Sequence, residues 1–192
     1  AIGDRHEVAL YDYERGAAEQ LESVGVVVDF GGGNGTPDMI DAAADAGVKL
    51  WQIIGTGVDH VDVDRFLRRR LSLANTPGIF SAVALAEHAL FLMLHFAKNF
   101  SESAKNVRSG VFFVPPKLND ELAGRTLGLI GFGASGQALA ARAAALGMRV
   151  TAFDTALAGS ARTDGVDVEL SDDREGFERV LSEADYLSVH VP

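Results

Sequence analysis

Residues 127–136 read Leu-Gly-Leu-Ile-Gly-Phe-Gly-Ala-Ser-Gly, and this stretch decides how the second half of the 192-residue chain folds. A short apolar run ends in a G-x-G-x-x-G turn, and the Ala- and Leu-rich residues 137–146 that follow have helical spacing. The pattern predicts a strand, a glycine turn and a helix. Gly131 permits the tight turn, Gly133 lets the backbone approach a pyrophosphate, and Gly136 lets the helix pack closely. The N–H groups at the start of that helix would face the phosphates.

An acidic residue strengthens this interpretation. A second strand, Arg149 to Phe153, is followed by Asp154, at the position where the ribose of a bound dinucleotide would lie. A carboxylate there accepts hydrogen bonds from the ribose hydroxyls and repels a 2′-phosphate. Residues 155–160 contain no Arg or Lys, so the sequence predicts NAD rather than NADP. The alternative is an ordinary strand–helix–strand crossover whose glycines serve packing alone, and the combination of turn, helix and acid favours dinucleotide binding.

Composition limits the possible partners. The chain has 17 Lys and Arg against 27 Asp and Glu, a formal charge of −10, which argues against nucleic acid or an anionic membrane as the main partner. Cysteine is absent, which excludes disulfides, a thiolate metal site and a cysteine nucleophile in this sequence. No apolar run approaches the length of a membrane span. We therefore expect a cytoplasmic protein.

The first half of the chain alternates strands and helices, which indicates an α/β layout. The pattern predicts strands at 7–11, 24–30, 50–54 and 71–74, and helices at 15–23, 37–46 and 65–70. A second glycine-rich segment, residues 31–35, is a rival phosphate loop, but the strand that follows it ends in glycine rather than an acid. We interpret it as a flexible loop. Asp62 or Asp64 is expected to cap the helix at 65–70.

A second candidate site follows the strand at 50–54, in the segment Gly55-Thr56-Gly57-Val58-Asp59-His60. The glycines leave backbone N–H groups accessible at the carboxyl end of a parallel strand, where α/β sheets bind ligands, so a small anion could bind there. Asp59, Asp62 and Asp64 superficially resemble a calcium loop, yet the glycine needed at its sharp turn is missing. We predict no metal site.

The longest predicted helix covers residues 81–100 and is apolar on nearly every face. Such a helix must be buried on all sides, so we expect it to pack between two domains or two subunits, and the second possibility implies a homodimer. Within it, His88 and His95 lie seven residues apart, but the sequence places no third metal ligand beside them. A structural role is therefore favoured for both.

The remaining pattern predicts a helix at 101–109, an irregular segment at 111–121, a strand at 166–170, a helix at 172–183 and a last strand at 186–191. The sequence starts at Ala1 without methionine and stops at Pro192 as a strand finishes. We therefore expect it to be a piece of a longer protein, with the sheet of its second domain truncated at the C-terminal end.

With these elements placed, the sequence resembles the D-isomer-specific 2-hydroxyacid dehydrogenase family. The resemblance rests on residues 55–62, on Asn75-Thr76-Pro77, on Ala86-Glu87-His88, on residues 122–128 leading into the glycine turn, and on Val189-His190-Val191-Pro192. It implies an α/β fold of two doubly wound parallel-sheet domains that face each other across a cleft. Residues 1–98 would form an incomplete, flavodoxin-like substrate-binding (catalytic) domain, and residues 99–192 a truncated Rossmann NAD-binding domain.

The resemblance also implies site residues. The substrate carboxylate would bind the backbone N–H groups of Thr56 and Gly57. Cofactor contacts would fall on the three glycines of the turn and on Thr76, Ala134, Ser135, Asp154, Val191 and Pro192. The family often has Arg and Ile where this chain has Ala134 and Ser135, so one phosphate contact would be lost. The substrate-binding Arg and the Glu–His proton-transfer pair would lie beyond residue 192, and none of the five histidines here matches the catalytic one.

The reaction so implied is NAD-dependent interconversion of a small D-2-hydroxy acid and its 2-oxo acid by hydride transfer. The protein's tasks are to hold the 2-oxo carbon against the nicotinamide, to clamp the carboxylate and to supply a proton. Residues 1–192 carry groups for the first two tasks only, so this span alone should be inactive. Two alternatives are an NAD-sensing regulator similar to the corepressors that share this fold, and a decayed copy with a structural role.

Overall fold

The computed structural model describes residues 5–31, 35–111, 119–157, 159–163 and 165–191. The chain forms two compact units, Ala1–Pro77 and Gly78–Pro192. This division comes earlier in the chain than the predicted boundary after residue 98, because the long helix Ala82–Ala97 makes its contacts with the second unit. The division concerns compactness only, and the predicted roles of the two domains, substrate binding and NAD binding, stay predictions.

The first unit contains a parallel sheet of three strands in the order β1-β2-β3. The strands are β1 (Val26–Asp29), β2 (Leu50–Ile53) and β3 (Ser72–Ala74), and the helices are α1 (Ala17–Leu21), α2 (Pro37–Asp45) and α3 (Val63–Arg69). The core is built around Trp51, whose ring meets Phe66 edge-on at 5.5 Å between centroids. The strand predicted at 7–11 is not formed, and Val8 and Leu10 there are exposed.

Local capping explains where α2 and α3 begin. The Thr36 hydroxyl accepts a hydrogen bond from the Met39 N–H at 3.3 Å, and Pro37 occupies the first position of α2. Of the two predicted caps of α3, Asp62 is the one used: its Oδ1 accepts from the Arg65 N–H at 2.8 Å. The Arg65 guanidinium also donates to Asp41 of α2, which lowers the pKa of the Asp41 carboxyl.

The second unit contains a five-stranded sheet in the order β6-β7-β5-β4-β8. Its strands are β4 (Thr126–Ile130), β5 (Arg149–Phe153), β6 (Gly159–Thr163), β7 (Val166–Ser171) and β8 (Tyr186–Val189). Its helices are α4 (Ala82–Ala97), α5 (Phe100–Arg108), α6 (Ala134–Ala145) and α7 (Arg174–Glu183). All neighbouring strands are parallel except β6, which pairs antiparallel with β7. The sequence did not predict β6, because Gly-Ser-Ala-Arg-Thr lacks an apolar alternation.

Strand β4, which lies between β5 and β8, is almost entirely buried, since α6 and α7 both pack on it. Leu127, Leu129 and Phe132 are each at most 1% exposed. Gly128 in the same strand is sterically required: a Cβ there would lie 2.8 Å from the Cβ of Ala184. The apolar run that precedes the glycine turn therefore belongs to the core, and it fixes the position from which the turn projects.

In the single chain, α4 is covered on one face only. One face of this helix, with Ala82, Ala86, Met93 and Ala97, is buried, and α4 packs on α6. The opposite face carries exposed apolar side chains, namely Val83, Leu85, Phe91, Leu92 and Phe96. Within the single chain, α6 covers only one stripe of a helix that is apolar all round, and the predicted burial of α4 between two subunits stays a prediction. None of the helices in the described part of the chain combines the length and the apolar character of a membrane span.

Candidate functional site

The glycine turn joins β4 to α6 at the carboxyl end of the second unit's sheet. Gly131 has φ +93°, a left-handed conformation that favours glycine. A Cβ at this position would also lie 2.6 Å from the carbonyl oxygen of His190, which follows β8. The strand order places β4 between β5 and β8, so the turn opens at the point where the direction of the strand order reverses. Doubly wound sheets bind ligands at that point.

The other two glycines of the turn have different reasons to lack a side chain. A Cβ on Gly136 would lie 2.5 Å from the carbonyl oxygen of Gly131, so the helix could not pack so closely with any other residue there. A Cβ on Gly133 would meet no atom within 4 Å. Packing therefore explains Gly136, whereas Gly133 leaves open space beside the backbone, as the approach of a ligand requires.

The N-terminus of α6 is available to an anion. The first N–H groups of any helix lack an intrahelical partner, and here the N-cap is Gly133, which has no side chain to accept a hydrogen bond from them. Ala134 and Ser135 are the first two residues of α6, Ala134 exposed and Ser135 half-buried. The Gln137 side chain donates to the Phe132 carbonyl at 2.9 Å and braces the turn from the helix side. This arrangement fits a pyrophosphate.

Asp154 lies directly after β5, next to the turn. Its Oδ2 accepts from the Phe132 N–H at 2.8 Å, and its Oδ1 accepts from the Ala156 N–H at 2.9 Å. A carboxylate has about four acceptor positions, so each oxygen can still accept a hydrogen bond from a ribose hydroxyl. Sequence reasoning gave this residue a role in cofactor recognition. The structure adds that it also holds the middle of the glycine turn.

The last predicted cofactor residues lie on the other side of the turn. Val191 is about half exposed, and its Cγ1 lies 2.9 Å from the position that a Cβ on Gly131 would take. Pro192 lies outside the described residues. His190, which is not among the predicted site residues, bridges to the helix: its Nδ1 is 2.9 Å from the Ser135 Oγ. The Val-His-Val-Pro motif contains this histidine, but Ser135 is fifty-five residues away in sequence, so no local pattern predicts their contact.

The candidate carboxylate site lies in the first unit, directly after β2. Asn75 Nδ2 donates to the Thr56 carbonyl at 2.7 Å, and the Thr76 N–H donates to the Gly55 carbonyl at 2.9 Å. A Cβ on Gly57 would come no closer than 3.4 Å to any atom, the nearest being an oxygen of Asp59. The loop after β3 therefore braces the loop after β2 through carbonyl groups. The two predicted donors, the N–H groups of Thr56 and Gly57, lie in this braced loop.

Thr76, a predicted cofactor contact, also lies in the first unit. Its hydroxyl is 3.2 Å from the Ile53 carbonyl, to which it donates, and this bond holds the side chain at the end of the sheet. In α4, His95 lies among Phe91, Phe96 and Phe100, and its Nε2 is 2.9 Å from the Ser101 hydroxyl. These contacts support the structural role predicted for His95.

Residues 90–192 match the family model described as the NAD-binding domain of D-isomer specific 2-hydroxyacid dehydrogenases. This chain belongs to that family. It is 36% identical over 157 residues to hydroxypyruvate reductase of Thermotoga maritima, a match covering 82% of this chain and 48% of that protein. It is also 36% identical over 159 residues to D-3-phosphoglycerate dehydrogenase of Mycobacterium leprae, covering 82% of this chain and 29% of the relative.

A solved structure supports the fold. The structure of D-lactate dehydrogenase from Escherichia coli superposes with a TM-score of 0.74 at 25% identity, covering 92% of this chain and 54% of that one. The chain thus spans about half or less of the length of these relatives. The predicted α/β fold class and the predicted cofactor, NAD, are confirmed by the family assignment.

Proposed function

We propose that this protein is an NAD-dependent oxidoreductase that interconverts a small D-2-hydroxy acid and its 2-oxo acid by hydride transfer. The observation that carries the proposal is the N-terminus of α6, which has no side-chain cap, with open space at Gly133 and with Asp154 beside it. This arrangement fits a dinucleotide, and the family supplies the reaction class. Bound NAD would supply or accept the hydride.

The chain's own residues would hold the two reactants. The first turn of α6 and the Asp154 carboxylate would bind the pyrophosphate and the adenosine ribose. The N–H groups of Thr56 and Gly57 would bind the substrate carboxylate, because the Asn75 brace holds that loop at the end of the sheet. Backbone donors held in this way orient a substrate with little further loss of freedom.

The test is an assay of the complete gene product with NADH and with glyoxylate, hydroxypyruvate or pyruvate, following the loss of NADH. Turnover of at least one 2-oxo acid is expected. NADH binding without any turnover would instead support the alternative, an NAD-sensing regulator. The matched proteins named here are a reductase and two dehydrogenases, which favours the enzyme.

The preference for NADH over NADPH and a homodimeric state also belong to this proposal. The preference rests on Asp154 and on the absence of Lys and Arg in residues 155–160. The dimer rests on the exposed apolar face of α4, where Phe91 is 53% and Phe96 is 73% exposed. Exposed apolar patches of this kind commonly mark subunit contacts. The cytoplasmic location predicted from the sequence stays a proposal.

A further inference from the structure

His190 connects the last strand of the second unit to the first turn of α6. Its Nδ1 lies 2.9 Å from the Ser135 Oγ, and its Nε2 lies 2.9 Å from the Ser188 Oγ. The backbone of His190 is fixed as well, because its N–H donates to the Ile130 carbonyl at 2.7 Å. Both ring nitrogens are thus engaged, and the ring has a defined orientation beside the glycine turn.

The direction of these two hydrogen bonds depends on the tautomer. Partial burial lowers the pKa of His190, so the ring is neutral at neutral pH and has one N–H and one acceptor nitrogen. In the first arrangement Nδ1–H donates to Ser135, and the Ser188 hydroxyl donates to Nε2. In the second, the Ser135 hydroxyl donates to Nδ1, and Nε2–H donates to Ser188. The two arrangements differ in whether the Ser135 hydroxyl proton is free to donate to a ligand.

A bound anion discriminates between these arrangements. In the first, the Ser135 oxygen accepts from His190, and its own proton is free to point at a ligand. In the second, that proton is used, and only lone pairs face the ligand. Ser135 is in the first turn of α6, where N–H groups lack intrahelical partners. A pyrophosphate at this helix end therefore favours the first arrangement.

The Ser135 hydroxyl should contribute measurably to phosphate binding, because the turn and the start of α6 have no basic side chain. Residues 131–141 contain no Lys or Arg, so uncharged N–H and O–H groups are the donors that this segment offers to the phosphates. The carboxylate of Asp154 is held on the N–H groups of Phe132 and Ala156. Loss of one positioned donor should therefore be measurable, because a hydrogen bond to a charged group is stronger than one between neutral groups.

We propose that His190 is a positioning residue of the cofactor site: its Nδ1–H holds the Ser135 oxygen, so that the Ser135 hydroxyl donates to the pyrophosphate of NAD. This inference deepens the cofactor site on which the proposed function rests, and it concerns binding alone.

The test is calorimetric titration with ADP-ribose, which contains the pyrophosphate, and with adenosine, which does not. Ser135→Ala and His190→Leu should each weaken ADP-ribose binding by about tenfold, and the double variant should be little worse, because both changes remove the same hydrogen bond. His190→Asn should retain most of the affinity, since its amide nitrogen can replace Nδ1. Adenosine should bind all variants alike, and His6→Leu, at an exposed histidine of the first unit, is the matched control.

Nitrogen NMR of the unaltered chain provides a readout that needs no variant. The ADP-ribose complex should contain His190 as the Nδ1–H tautomer. The Nε2–H tautomer in the complex, additive losses in the double variant, or an equal loss for adenosine would overturn the inference while leaving NAD binding intact. Failure of the unaltered chain to bind either ADP-ribose or NADH would overturn the proposed function and this inference together.

Discussion

Single substitutions of the glycines in the turn distinguish effects on protein stability from effects on NADH binding. Gly133→Ala adds a methyl group to a position where the structure leaves at least 4 Å of open space, and its φ of −71° suits any residue. We expect the free energy of unfolding to change by less than about 1 kcal/mol, because the lower entropy that alanine gives the unfolded chain offsets its poorer fit at the N-cap of α6. Affinity for NADH should fall at least about tenfold, because the methyl group occupies the space that the pyrophosphate needs.

Gly136→Ala is the matched control, with the opposite expectation for stability. Its Cβ would lie 2.5 Å from the Gly131 carbonyl oxygen, a backbone atom that cannot move without shifting the turn. Overpacking of this kind costs about 1–3 kcal/mol, and the better helix propensity of alanine offsets up to about 1 kcal/mol. With a contact this short we expect net destabilisation of about 2 kcal/mol.

Urea unfolding followed by circular dichroism measures the two stabilities, and NADH fluorescence measures binding. The reasoning predicts that Gly133→Ala keeps its stability and loses affinity, whereas Gly136→Ala loses stability. If Gly133→Ala bound NADH as tightly as the unaltered chain, the pyrophosphate would not approach the turn at this residue. Destabilisation of Gly133→Ala by more than 1 kcal/mol would show that the space beside it is not open.

Four changes test the rest of the proposal. Asp154→Ala should narrow the difference in affinity between NADH and NADPH, and equal affinities in the unaltered chain would contradict the NAD preference. In the complete gene product, Gly57→Val should raise KM for the 2-oxo acid by about tenfold while NADH affinity stays nearly constant; equal loss of both would indicate misfolding. Phe96→Asp should shift sedimentation from dimer to monomer, and an unchanged dimer would place the contact elsewhere. Burial lowers the pKa of His190 in the folded chain from 6.5, so the unfolded chain binds a proton more readily. The stability that follows from this is fully present above pH 6.5 and is lost as the pH falls through the folded pKa. His190→Asn should therefore flatten the dependence of the urea-unfolding free energy on pH in this range.

The glycine turn and Asp154 could be predicted from the sequence because their geometry is local. The required backbone conformation at Gly131 and the close approach of α6 at Gly136 depend on residues a few positions away. The spacing to Asp154 is set by one helix and one strand. These constraints leave a readable pattern in one sequence.

The exposed face of α4 and the contacts of His190 could not be predicted in this way. An apolar helix indicates that it must be covered, but the sequence does not say whether its own chain or another one covers it. The contact between His190 and Ser135 depends on the strand order, in which β8 lies beside β4. Residues brought together by such an order have no fixed spacing, so only the fold reveals them.

The same strand order explains why the turn is held before any ligand arrives. Asp154, which follows β5, accepts a hydrogen bond from the Phe132 N–H, and Gln137 of α6 donates one to the Phe132 carbonyl. The backbone of His190, which follows β8, lies against Gly131. A loop fixed from three elements loses little conformational entropy on binding, so more of the interaction with the phosphates appears as affinity. A substitution that releases one of these contacts should therefore weaken NADH binding even when it touches no atom of the cofactor.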